Sequence, residues 1–367
     1  MIFKQIEHMG KRLLVRILGF FLKQEKLTPK DVDLSCIRRI LVIRQDDRIG
    51  NLILTTPLLS ALRRLFPMAQ VSYLASKTFH TLFHNSTLVD QIFVAKKRQY
   101  IFHPLSLVSF IRKIRKQTFD LAFDASDENN FSLNNSFLAH LSGAKYRIGY
   151  EKPNSSLFLN LEVPPSPLRR HAAEMHLDLL RFLVGNFEGD DIRIEVDTEK
   201  RDRVEEYLNQ KNVSTDDFLI GINVGGRGKK RWDLENFTQL ADWITDSFDS
   251  KVIFIWGPEE KSMIKGITLK NEERQILSDL FPLPVLAALT ERCNLFITGD
   301  TGAMHLSAAV GTPTLALFLN SDPAKFGPQG KAHKIIYPSD GKIPVEIVKK
   351  EIKKIMKSRI QVKERTQ

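Results

Sequence analysis

An α/β protein with two doubly wound domains is what this sequence predicts, and three observations carry the reading. Short apolar runs alternate with helix-length amphipathic runs through most of the chain, the pattern of parallel βαβ units with right-handed crossovers. A proline-rich stretch, "LEVPPSPLRR" at 161–170, interrupts the alternation, and a second series starts near residue 192. The 367 residues exceed one ordinary domain and suit two.

The elements follow in order. In residues 1–26, Ile2, Ile6, Met9, Leu13, Ile17 and Phe21 recur at spacings of three or four, while Lys4, Lys11, Arg12, Arg16 and Lys23 mostly lie elsewhere around the helix. This predicts a basic amphipathic helix lying on an anionic membrane face. The alternative is a helix packed on the protein's own core. The apolar run after Arg16 is far shorter than the roughly 20 residues a bilayer span needs, and no small-residue cleavage site follows it.

The first αβ domain, 27–188, has strands at "RILVIR", "QVSYLA", "QIFVA" and "DLAFDA", with helices such as "PLLSALRRLF" and "PLSLVSFIRKIRKQ" between them. Pro57 fits a helix that kinks there or one that starts near Leu58. "NFEGDDIRIEV" reads as a connector running into a new strand. The second domain, 189–342, has strands at "FLIGINV", "KVIFIW", "CNLFITG" and "TPTLALF" and helices at "LENFTQLADWITDSF" and "GAMHLSAAV". Residues 343–367 hold a last helix with Val345, Val348, Ile352 and Ile355 on one face, then a tail.

Composition narrows the class. The chain is 43% hydrophobic and 26% charged, enough for two cores. Its two cysteines, Cys36 and Cys293, form no CxxC, which argues for a reducing compartment and against a zinc site or disulfide framework. The net charge of +11 suits nucleic acid, an anionic membrane or a phosphorylated ligand. No RNA-binding signature or zinc finger accompanies it, so nucleic acid is the poorest of the three. His80 and His84 are four apart, but no HExxH is present, and His171 and His176 are five apart; no metal site is expected.

Three segments carry chemistry. In "ITGDTGAMHLSAAVGTP" (297–313) a strand ends in the turn Gly299–Asp300–Thr301–Gly302, and a helix follows. Glycines let the backbone approach a ligand, and the helix start attracts an anion. Thr301 adds a hydroxyl, and His305 lies one turn on. A helix cap at Asp300 and a core histidine would be the bland alternative. In "GINVGGRGKKRWDLENF" (221–237) a strand opens into a loop with Gly225, Gly226 and Gly228. Arg227, Lys229, Lys230 and Arg231 give it positive charge suited to a pyrophosphate; a solvated basic loop is the alternative. Trp232 is expected to pack this loop and Asp233 to cap the next helix. It is neither a Walker A loop nor GxGxxG. Third, "ILVIRQDDRIGNLILTTPLL" (40–59) is a strand, a polar loop and a helix, with Arg44, Asp46, Asp47, Arg48, Gly50 and Asn51 at the junction.

Together, "ILVIRQDDRIGNLILTTPLLSALRRLFP", "KKRWDLENFTQLADWI" and "ITGDTGAMHLSAAVGTPTLALFLNSDPAKFGPQG" resemble glycosyltransferase family 9, the ADP-heptose:lipopolysaccharide heptosyltransferases. "FDLAFDASDENN" and "LSGAKYRIGY" match more weakly. The resemblance runs in the family's order over residues 38 to 335. It implies a GT-B fold, two facing Rossmann-like domains with parallel sheets and a ligand cleft between them. It implies inverting, metal-independent transfer of a sugar, such as a heptose, from a nucleotide-diphosphate donor to a lipopolysaccharide core or similar glycolipid. ADP is the family's nucleotide, and the donor is a substrate, so no cofactor is expected. Lys230, Asp300, Thr301 and Gly302 would hold the diphosphate, with His305 beside them and Arg227 and Arg231 assisting. Arg44, Arg48, Gly50 and Asp124 would lie on the acceptor side. The expected location is cytoplasmic, peripheral on the inner face of the inner membrane, and the last helix is expected to return to the first domain.

One residue departs from the pattern. The family carries Gly-Asp after the first strand, and that Asp is regarded as the general base. Here the pair is Gly50-Asn51. A sugar hydroxyl needs a base, and an amide cannot take its proton at neutral pH. Asp46 or Asp47 in the same loop, or Asp124 at a neighbouring strand end, would have to supply the carboxylate, or the donor's phosphate would assist. Otherwise the protein binds nucleotide sugar without transferring it. A GT-B sugar-nucleotide epimerase is a further rival. A dinucleotide-dependent dehydrogenase is disfavoured because GxGxxG is missing after the first strand.

Overall fold

A computed structural model describes residue 22 and residues 25–366, apart from 79, 97, 98, 101, 102 and 339. The helix expected over 1–26 lies almost wholly outside the described residues. The chain divides into two compact units, Met1–Ile192 and Arg193–Gln367. The division falls four residues beyond the boundary read from the sequence.

The first unit is one parallel sheet in the order β3-β2-β1-β4-β5-β6. Its strands are β1 (Arg39–Arg44), β2 (Gln70–Ser76), β3 (Gln91–Ala95), β4 (Leu121–Asp124), β5 (Tyr146–Tyr150) and β6 (Leu161–Val163). Ile40, Leu41, Val42 and Ile43 are all fully buried, as a central parallel strand covered on both faces requires. Asp120 fixes the start of β1: one carboxylate oxygen accepts the N–H groups of Arg38 and Arg39, both at 2.8 Å. Helices α1 (Ile49–Ile53), α2 (Thr56–Leu65), α3 (Pro104–Arg115), α4 (Leu133–Leu141) and α5 (Ala172–Val184) cover the sheet. The break before Pro57 makes two helices rather than one kinked helix. Pro57 sits in the first turn of α2, where its missing N–H costs nothing. Thr55 and Thr56 turn their hydroxyls back onto the carbonyls of Leu52 and Ile53, at 2.6 and 2.8 Å.

The second unit repeats the topology, in the order β12-β11-β10-β7-β8-β9. It holds α6 (Thr198–Gln210), β7 (Leu219–Asn223), α7 (Leu234–Ser247), β8 (Lys251–Ile255), β9 (Gln275–Leu277), α8 (Leu283–Arg292), β10 (Leu295–Gly299) and α9 (Gly302–Ala309). It continues with β11 (Thr314–Leu317), α10 (Pro323–Phe326), β12 (Lys334–Ile336) and α11 (Val345–Thr366).

One expectation changes here. The strand read into 192–196 does not form; the segment is irregular, and the Ile194 N–H bonds the Ala309 carbonyl at 2.9 Å. The described side chains of the last helix pack within the second unit. Val345, Val348, Ile352 and Met356 lie in one core cluster with Ile220, Phe237 and Phe254 of the second unit. Their spacing puts an apolar stripe on one helix face, and α7 with its sheet supplies the matching surface. Among the described residues no helix is long and apolar enough to cross a membrane.

Candidate functional site

In each unit the central strands, β1 with β4 and β7 with β10, are parallel neighbours whose following helices lead to opposite sides of the sheet. This is the topological switch point, where open α/β sheets bind ligands beyond the carboxyl ends of the strands. The sequence-selected segments leave these four strand ends.

In the second unit, Asn223 at the end of β7 ties the two loops together. Its amide donates to Thr298 Oγ1 at 2.9 Å and to Thr301 Oγ1 at 3.1 Å. Its carbonyl oxygen accepts the Gly225 N–H at 3.4 Å. Gly299 leaves little room for a side chain, because a Cβ would stand 3.2 Å from the Lys230 carbonyl oxygen. The two loops therefore touch through backbone, which sets Lys230 against the turn. The Lys230 ammonium donates to the Asp300 carboxylate. Asp300 is nearly buried while Lys230 stays partly open to solvent. Thr301 takes the N-cap position of α9, and its hydroxyl caps no helix N–H. The first-turn N–H groups of α9 thus take no side-chain cap from Thr301 and follow directly on the Asp300 that Lys230 holds, an arrangement suited to an anion.

The two arginines of this loop point elsewhere. Arg227 pairs with Glu259, which raises the arginine and lowers the glutamate from their ordinary ranges. Arg231 donates to the Gly226 carbonyl at 2.7 Å and lies 3.3 Å from the buried Glu260 carboxylate. Both arginines shape the loop rather than converging on the turn, because Glu259 and Glu260 follow β8 directly beside it. Trp232 is buried as expected, its indole N–H on the Ile343 carbonyl at 2.8 Å and its ring edge-on to Phe237. Asp233 occupies the N-cap of α7, but its side chain makes no cap bond. His305 is buried within α9.

In the first unit the loop after β1 closes on one carboxylate. Asp46 Oδ2 accepts from the Asn51 amide at 2.6 Å and from the Arg44 guanidinium at 3.2 Å. Asp46 Oδ1 accepts the Arg48 N–H at 3.0 Å. Arg44 is buried and also donates to the Ala125 carbonyl, so it bridges the ends of β1 and β4. Gly50 is buried in α1, which lets this turn sit against the sheet. Asp47 is exposed and makes no hydrogen bond among the described residues. Asp124 is buried and committed to Ser136 Oγ at 2.5 Å and the Ser126 N–H at 3.1 Å. It holds its own loop and does not join Asp46.

Sequence reasoning missed several members. Lys152 reaches Ser126 Oγ at 2.9 Å; burial lowers its pKa, and Asp124 and Asp127 oppose that. His176, on α5, is fully buried, and burial with the nearby Arg44 charge pushes it well below the ordinary imidazole range. Asn223 and Glu260 were also overlooked. Asn223 lies in the 221–237 segment but its role depends on Thr298 and Thr301, distant in sequence, and the others lie in no recognisable motif. His80 and His84 merely pack edge to face, with ring centroids 6.0 Å apart. Among the described residues no three His, Cys, Asp or Glu side chains are grouped to hold a metal ion.

Two Rossmann-like units, each with its loops at the switch point, define the GT-B class of glycosyltransferases. The chain belongs to glycosyltransferase family 9 (heptosyltransferase), whose model matches residues 107–354. A putative glycosyltransferase of Haemophilus influenzae is 24% identical over 305 residues, 78% of this chain and 83% of that protein. Lipopolysaccharide heptosyltransferase 3 of Escherichia coli is 24% identical over 284 residues, 74% and 80% respectively. The crystal structure of a family 9 glycosyl transferase from Veillonella parvula superposes with a TM-score of 0.75 at 26% identity, over 90% of this chain and 92% of that one.

Proposed function

We propose that the protein is an inverting, metal-independent transferase that moves a heptose-like sugar from an ADP-linked donor to a lipopolysaccharide core or similar glycolipid. It would work at the cytoplasmic face of the inner membrane. The observation that carries this reading is the pairing of Lys230 with the Asp300–Gly302 turn at the start of α9. Family membership supports glycosyl transfer, and the names of curated relatives supply heptose and lipopolysaccharide.

In this proposal the second unit binds the donor. Lys230 and the α9 N–H groups stabilise negative charge on the diphosphate as it leaves the anomeric carbon, the work a metal ion does in other transferases. The first unit binds the acceptor. The acceptor hydroxyl oxygen bonds to the anomeric carbon from the face opposite the diphosphate, in a single displacement. Its proton passes to Asp46, and the electron pair of the broken bond stays on the diphosphate. Asp46 is a better candidate than Asp47 because Asn51, at the family's base position, holds it directly. Arg44 and Asn51 orient the carboxylate.

A second reading is binding without transfer. It is favoured by Asn51 itself and by the engagement of both Asp46 oxygens. Calorimetric titration with ADP-heptose and UDP-sugars separates the readings from a failed site. Saturable binding of the ADP-linked donor, weakened at least tenfold in Lys230→Ala, is expected. No binding to any donor would sink both. Donor binding with no transfer to any lipopolysaccharide acceptor would leave only the second.

A further inference from the structure

Residues 91–119 contain seven lysines and arginines and no aspartate or glutamate. Helix α3 is the centre of this stretch. Only Ile114 is buried in it, with Phe110 packed against the first unit's core. At 3.6 residues per turn, Leu107, Phe110, Ile111 and Ile114 share the inner face. The outer face carries Leu105, Val108, Arg112, Arg115 and Lys116. Leu105 is 83% exposed and Val108 42% exposed. Among the described residues, Arg112, Lys113, Arg115 and Lys116 make no ion pair.

A solvated helix face usually mixes charges, as α11 does, where Lys349 pairs with Glu346 and Lys354 with Glu351. On α3 the charge has one sign and adjoins bare aliphatic side chains. We propose that the outer face of α3 is a docking surface for an anionic lipid bilayer. Unpaired cations complement lipid phosphates, and the two aliphatics at the amino end enter the headgroup boundary. Nucleic acid would use the cations alone and leave Leu105 and Val108 in water. The biological sense of this surface rests on the glycolipid reading of the first unit, but its physical test does not.

The test is sedimentation of the full chain with vesicles of phosphatidylcholine, alone or mixed with phosphatidylglycerol. Salt-sensitive binding to the anionic vesicles only is expected. Arg112→Glu with Lys116→Glu should weaken it at least tenfold, since each cation near such a surface contributes about fivefold. Leu105→Ser with Val108→Ser should weaken it too and make the remainder more salt-sensitive. Both variants change exposed residues and should keep wild-type melting and donor binding. Wild-type vesicle binding by both variants would overturn the proposal and assign the membrane contact to residues 1–26. Equal binding to neutral vesicles, or no binding, would overturn it as well, as would displacement of the vesicles by single-stranded RNA. Vesicle binding without sugar transfer would leave this surface standing and remove the glycolipid reading instead.

Discussion

Asp46 and His176 make opposite demands on protons. Asp46→Asn should lower transfer at least 10²-fold, the lower range for a lost general base, while donor binding survives. Asp47→Ala should keep near wild-type rates; an assay of both against the same acceptor decides the assignment, and the reverse outcome would move the base to Asp47. His176 is kept neutral by burial beside Arg44. The unfolded chain binds its proton more tightly than the folded one, so stability falls as pH drops below about 6.5. The largest slope one such group contributes is about 1.4 kcal/mol per pH unit. Urea melts between pH 7 and pH 5 should show a flatter decline in His176→Gln. At this scale the sequence disclosed Asn51 as an oddity, because a pattern made an aspartate the expected residue. It gave no sign of Asn223 or Lys152, whose partners lie 75 and 26 positions away.

Trp232 shows how an element holds a loop. It closes the basic loop on the second unit's core and reaches across to the Ile343 carbonyl just before α11. Trp232→Ala should cost about 3–5 kcal/mol in denaturant melts, as large-to-small core changes do. It should also weaken donor binding, because Lys230 is two residues away. Regular elements were legible where periodicity was strong: β1, β7, β10 and α7 stand where their patterns put them. One reading failed for an identifiable reason. "IRIEV" has strand-like alternation, but no neighbouring strand pairs with it, and the Ile194 N–H bonds the Ala309 carbonyl instead. The apolar stripe of α11 was legible, whereas the surface it would meet was not, since a stripe names no partner.

The same strand order occurs in both units, so the whole molecule uses one folding plan twice. The described core of the second unit, α11 included, is drawn from its own residues. A fragment spanning 193–367 should therefore fold alone and bind the ADP-linked donor within about tenfold of the full chain; an unfolded circular dichroism spectrum would refute this. The two-domain plan was readable from alternation and a proline-rich break. The mixed roles of the cations were not: net charge counts Lys230, Arg227 and Arg112 alike, while the structure pairs the first with the Asp300 turn, makes the second a loop brace and leaves the third on an open helix face.

The Asp46–Asn51 bond also has an evolutionary meaning. A carboxylate and an amide that share one short hydrogen bond are exchangeable as a pair, since the swap conserves net charge and can keep one donor facing one acceptor. Changed singly, Asn51→Asp opposes two carboxylates and Asp46→Asn leaves two amides. A lineage moving between Gly-Asp and Gly-Asn at this turn would thus cross a valley at either intermediate, and the two positions should travel together.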